Sequence, residues 1–205
     1  TTNQKEFQRK IDLAKNRMFC NHAFYFGATP TNQNELASLK GLEGCCGVKL
    51  FAGSSTGTLL VHKEEDIEKV FESTSKIVAV HSEDEDILNL RKKFCEKGNV
   101  HSHPVWRDEE SAISSTRRIV KIAKRLNKKA HILHVTTKQE IDFLSQNKGN
   151  ITFEITPQHL TLTAPECYNK LGSYAQMNPP IRDQSHYERL WYAVRNNYND
   201  TIGSD

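Results

Sequence analysis

A lysine stands inside an apolar run, GVKLF at residues 47–51. In a strand buried on both faces, such a side chain must offset the loss of hydration, and burial favours the neutral amine. A neutral amine reacts with CO2 to give a carbamate, an anionic oxygen ligand able to bridge two metal ions. The plainer reading of Lys49 is a stem lying on apolar surface with its ammonium reaching water. His81 (VAVHSED) and His134 (HILHVTT) sit at or near the ends of two other apolar runs. Neutral imidazole is the usual zinc ligand, although each histidine alone reads as an ordinary hydrogen-bonded one. Asp205, in TIGSD, could bind metal and accept a proton from metal-bound water. Asn178, in MNPPIR, precedes two prolines that stiffen the loop, so its amide could bind a planar ligand or simply occupy a turn.

Other polar residues are weighed and left aside. His131 lies three residues before His134, and an odd separation in a strand puts it on the opposite face, as a structural or helix-facing residue. The HSH segment at 101–103 follows Gly98-Asn99 and precedes Pro104, which reads as a loop. His22, His62, His159 and His186 receive no role. GSSTG, residues 53–57, lacks the phosphate-loop pattern and reads as a flexible loop over the site.

Positioning these groups requires strands that end on one rim. Apolar runs at 19–26, 47–51, 77–81, 131–135 and 151–155, with a weaker one at 201–204, alternate with helix-like stretches at 3–16, 64–71, 109–126 and 137–146. The last of these opens with a capping box, Thr137 to Glu140. Such alternation implies βα units and a mostly parallel sheet. Residues 156–182 show little helical period and read as a long functional loop. In a parallel barrel, active sites form at the C-terminal ends of the strands, where Lys49, His81, His134 and Asp205 would lie.

Composition bounds the function. Of 205 residues, 28 are Lys or Arg and 25 Asp or Glu, and a net charge of +3 gives no electrostatic case for nucleic acid or an anionic membrane. No apolar run approaches the roughly 18 residues of a membrane span. Five cysteines cannot all pair, two of them are adjacent, and none forms a CxxC, so a reducing, cytoplasmic setting is expected.

GVKLFAGSSTG, VAVHSED, HILHVTT, ITFEITPQHLTLT, MNPPIRD and IGSD, in that order, resemble the dihydroorotases of the amidohydrolase superfamily. TPQHL followed by NPPIR favours dihydroorotase over dihydropyrimidinase or allantoinase. The resemblance implies an α/β fold, a TIM (β/α)8 barrel with a binuclear centre, usually zinc. It also implies that Lys49 is carboxylated and bridges two zinc ions. His81 and His134 would bind the second metal. Asp205 would bind the first and serve as general base, then acid, while Asn178 would contact the pyrimidine ring.

The implied reaction is the reversible cyclisation of N-carbamoyl-L-aspartate to L-dihydroorotate, with a guanidinium clamping the substrate carboxylate. Two other readings stay open. One is a dihydropyrimidinase- or allantoinase-type cyclic amidase. The other is a non-catalytic dihydroorotase-like partner of aspartate carbamoyltransferase. A homo-oligomer is also compatible with the resemblance.

The family's first strand carries an HxH pair, and its chain continues beyond the aspartate. Residues 1–205 are therefore expected to be one partial amidohydrolase barrel domain, about strands three to eight, lacking the N-terminal HxH strand and the C-terminal part. With two open sheet edges, this piece alone is expected to aggregate and to be inactive.

Overall fold

Strands rich in apolar residues on both faces need cover on both sides, and helices linking parallel neighbours supply it. The computed structural model describes residues 1–55 and 58–205. In chain order the elements are α1 (Gln4–Ala14), β1 (Phe24–Gly27), α2 (Gln33–Ala37), β2 (Cys45–Phe51), α3 (Glu64–Ser73) and β3 (Val78–His81). Then come α4 (Glu85–Arg91), α5 (His103–Trp106), α6 (Glu109–Arg125), β4 (Ala130–Ile132), α7 (Lys138–Ser145) and β5 (Ile151–Ile155). The chain closes with α8 (Pro157–Thr161), α9 (Glu166–Leu171), α10 (Gln184–Arg195) and β6 (Thr201–Ile202). The six strands pair in parallel in the order β1-β2-β3-β4-β5-β6. Sequential parallel neighbours with helical crossovers make a partial (β/α)8 barrel.

Alternation along each strand separates two faces. Phe26, Val48, Leu50, Val78, Val80, Ile132, Phe153 and Ile155 pack into one core with Ile67 and Phe71 of α3, Ile119 and Ile122 of α6, and Ile141 and Leu144 of α7. The alternate residues form the inner face. Lys49 is paired with Ala79, Ala79 with His131, and His131 with Thr152, so these four stand side by side across the sheet.

Several expectations change at this level. His131 shares the inner face with Lys49 rather than facing the helices. The parity argument fails because β4 stops at Ile132, and His134 lies beyond it with a left-handed backbone, φ +37°. Residues 19–23 are not strand. Phe19 is fully exposed, and ladder bonding starts where the Phe24 N–H reaches Gly44 O. The stretch 156–182 holds α8, α9 and a 3-10 turn at Gly172–Ala175. HSH forms a 3-10 turn, Val100–Ser102, running into α5. Thr56 and Gly57 of the GSSTG segment lie outside the described residues. No described helix is long and apolar enough to cross a membrane.

The capping box is present as expected. Thr137 Oγ1 accepts from the Glu140 N–H at 3.1 Å, and Glu140 Oε2 accepts from the Thr137 N–H at 3.2 Å. Thr137→Ala is expected to lower stability by about 1–2 kcal/mol. The readout is a reduced urea midpoint at unchanged slope.

Candidate active site

The rim is built from strand exits. Lys49 sits two residues before the end of β2, and Phe51, the last residue, pairs with His81, the last of β3. Lys49 Nζ lies 4.5 Å from the Phe51 ring centroid, a cation–π contact, and the Phe51 and His81 rings are 5.8 Å apart. Beyond β2, Gly53 has no side chain for a physical reason: a Cβ there would collide with the Glu83 carbonyl. The exits of β2 and β3 are therefore in direct backbone contact.

His81 and His134 meet. His81 Nδ1 is 3.1 Å from His134 Nε2, and His81 Nε2 is 2.7 Å from Glu83 Oε2. Glu83 is fully buried and also receives Arg107 Nη2. Burial would raise its pKa, but the His81 N–H and the charges of Arg107 and Arg182 outweigh burial and hold it down at about 2. An ionised carboxylate only accepts, so His81 Nε2 carries a proton. In the neutral ring Nδ1 then accepts from His134 Nε2–H. The remaining lone pair, on the buried His134 Nδ1, has no hydrogen-bond partner among the described residues. Burial first, then the His81 ring, the Lys49 charge and His159, keep the pKa of His134 well below its ordinary value.

His159, in α8, is buried. Thr156 Oγ1 lies 2.7 Å from its Nδ1, and its Nε2 donates to Pro179 O at 3.1 Å. Burial, reinforced by the Arg182 charge, lowers it to about 4 against the pull of the Pro179 and Pro180 carbonyls, so it is neutral. Arg182 is buried and fixed, with Nη1 donating to Arg107 O at 2.5 Å and Nε to Thr136 Oγ1 at 3.3 Å.

The Lys49 amine is lowered by desolvation to about 8, with the charges of Asp205 and Glu154 opposing the fall. Asp205 is exposed, with φ +58°, and its charge acts on the Lys49 amine. Asn178 is exposed, and among the described residues no hydrogen bond joins it to Lys49, His81 or His134. Its neighbours are tied down, Met177 O accepting from His103 Nε2 at 2.9 Å and Pro179 O from His159.

The rim thus gathers Lys49, His81 and His134, and the Asp205 charge acts on Lys49. The sequence reading passed over Glu83, Arg107, His159 and Glu154. Glu83 had a signal, two residues after His81 in HSED, and His159 stood in TPQHL three residues after its partner Thr156; Arg107 had none, because its partners come from distant elements.

The expectation of two zinc ions bridged by a carboxylated Lys49 is overturned. Among the described residues, no group of three or more His, Cys, Asp or Glu side chains is placed to hold a metal ion. The reason is local: both ring nitrogens of His81 and of His159 are engaged within the protein, and the Glu154 carboxylate is bound to His131 and to the His134 N–H.

The strands and their helical crossovers define a partial (β/α)8 barrel, and its rim, among the described residues, is not arranged to hold the expected metals. No family model matches the chain. A dihydroorotase from Methanosarcina mazei is 28% identical over 100% of this chain and 47% of its own length. An L-hydantoinase from Paenarthrobacter aurescens is 26% identical over 100% and 46%. Among solved structures, the L-hydantoinase (dihydropyrimidinase) from Arthrobacter aurescens superposes with a TM-score of 0.92 at 23% identity, covering 100% of this chain and 47% of that one. The dihydropyrimidinase from Brevibacillus agri gives 0.86 at 21%, covering 100% and 47%. The chain is a distant homologue of the cyclic amidases of the amidohydrolase superfamily, dihydroorotases and hydantoinases. It spans about half the length of these relatives.

Two measurements probe this network. Glu83→Gln leaves Arg107 buried without a counter-charge and is expected to cost about 3–5 kcal/mol, whereas Glu83→Gln with Arg107→Met costs clearly less. Because the folded pKa of Glu83 is depressed, its contribution is complete above its ordinary value of 4.5 and disappears as pH falls toward about 2. Acid titration of unfolding in wild type and double variant reads this. Lys49 has the opposite sense. Its folded pKa lies below the ordinary 10.5, so the unfolded chain binds more protons between about 8 and 10.5, and stability rises with pH across that window. Lys49→Met is expected to stabilise at neutral pH, with the gain shrinking through that window in urea titrations.

Proposed function

We propose that the whole protein to which this chain belongs is a cyclic-amide hydrolase, and that its reaction is that of a dihydroorotase, the reversible cyclisation of N-carbamoyl-L-aspartate to L-dihydroorotate. The observation carrying this reading is the assembly of Lys49, His81 and His134, from the exits of three consecutive strands, with the Asp205 charge acting on Lys49. Dihydroorotases among the curated relatives, such as the 28% identical one from Methanosarcina mazei, favour the substrate.

In the hydrolytic direction, water adds to the ring amide carbon and the carbon–nitrogen bond breaks. Asp205 accepts the water proton and returns it to the leaving nitrogen. Lys49 faces the amide oxygen and stabilises its developing charge, with the low-polarity Phe51 wall strengthening that interaction. The His81–His134 pair, oriented by Glu83, lines the opposite side. Asn178 contacts the ring from its loop. Arg107 and Arg182 are engaged with Glu83 and with backbone carbonyls, so neither is the clamp for the substrate carboxylate.

The test is a panel of L-dihydroorotate, dihydrouracil and hydantoin with the whole protein. L-Dihydroorotate should lead by at least about tenfold in kcat/KM, and Asp205→Asn should reduce its turnover by about 10²–10⁴. Preference for a carboxylate-free ring would replace dihydroorotase by a hydantoinase-type activity. A second reading is favoured by the engaged nitrogens of His81 and His159: a non-catalytic partner of aspartate carbamoyltransferase. A folded protein inactive on all three rings, but co-migrating with that enzyme, would establish it.

A further inference from the structure

Glu154, in β5, belongs to no step above, yet it touches both the turn after β4 and the exit of β6. Its Oε1 accepts from the backbone N–H of His134 at 3.3 Å, and its Oε2 faces His131 Nε2 at 3.3 Å. Its charge supports the protonated form of Lys49 on the same inner face. On the far side, a Cβ built on Gly203 would stand 2.5 Å from Oε2 and 2.7 Å from Oε1, so the exit of β6 passes flat against the carboxylate. Gly203 is two residues before Asp205, and its N–H bonds to Ile155 O at 3.1 Å, which locks that approach in register.

The side chain of Glu154 is only 14% exposed. A carboxylate held that far from water is retained only where polar partners compensate its desolvation. Its partners come from β4, from the turn after β4 and, by contact, from the exit of β6. His134 has a left-handed backbone, φ +37°, a conformation that is unfavourable for a non-glycine residue unless its surroundings hold it. A hydrogen bond from that residue's N–H to an ionised acceptor is such a hold.

The geometry points to Glu154 as a positioning residue: its carboxylate fixes His134 and the Gly203–Asp205 exit relative to one another. It is not a catalytic residue, since it acts through these groups. The consequence for turnover rests on the cyclic-amidase reading; the structural part does not.

The experiment measures amide exchange and turnover in the whole protein for Glu154→Met, which keeps bulk but removes both acceptors, and for Gly203→Ala, which displaces the carboxylate without altering it. Both should speed exchange of the His134 amide by about tenfold or more, while the Val80 and Ile132 amides stay as in wild type. Both should lower kcat by about ten- to a hundredfold with KM within about twofold, the signature of misplaced groups. Glu154→Gln, which keeps the acceptor toward His134, should restore slow exchange there. Unchanged exchange at His134 in Glu154→Met would overturn the assignment. If that variant does not fold, unchanged exchange in Gly203→Ala overturns it equally. A wild-type protein inactive on every cyclic amide would sink the functional reading, while His134 exchange still decides this one.

Discussion

A carboxylate without water sets the arrangement of the rim. Glu83 lies just past β3, fully buried, and stays ionised because the His81 ring and the Arg107 guanidinium both point at it. Removing Arg107 would leave an uncompensated charge inside the protein, and removing His81 would leave a buried acceptor short of a donor, penalties larger than most single contacts can offset. Those penalties orient His81, and through His81 they orient His134. The backbone of Arg107 in turn accepts from Arg182, which reaches back to Thr136 beside β4. One buried charge thus connects the exits of β3 and β4 with the segment that follows Asn178.

The same wiring explains why the expected metal centre is not formed by these residues. Imidazole can serve a cation only with a free lone pair, and the ring nitrogens of His81 and His159 are committed to protein partners. The free lone pair of His134 is a single donor. The chemistry of the rim is that of desolvated, mutually oriented acids and bases: an amine lowered to about 8, an imidazole lowered to about 4, and a carboxylate held at about 2. Groups driven apart in this way are characteristic of functional sites.

Glycine has two specific uses here. At Gly53 the exit of β2 lies against the Glu83 carbonyl, and at Gly203 the exit of β6 lies against the Glu154 carboxylate. Both are points where loops from different strands must approach more closely than a side chain permits.

The sequence by itself determined the strand runs from residue 47 onward and helices α1, α3, α6 and α7, because burial writes its period into local composition, but not α8 and α9 within 156–182. ITFEI is a strand over the predicted residues, and Thr137 caps α7 as its spacing demands. It also determined that Lys49, His81 and His134 stand near strand ends. Only the tertiary structure decided what those groups do to one another. His131 changed faces because β4 ends two residues before His134, an end that hydrogen bonding to β5 sets rather than local preference. The engagement of His81 with Glu83 and Arg107, and of His159 with Pro179, joins residues from separate crossovers. Desolvation and Coulomb interactions act through space, so no spacing along the chain records them.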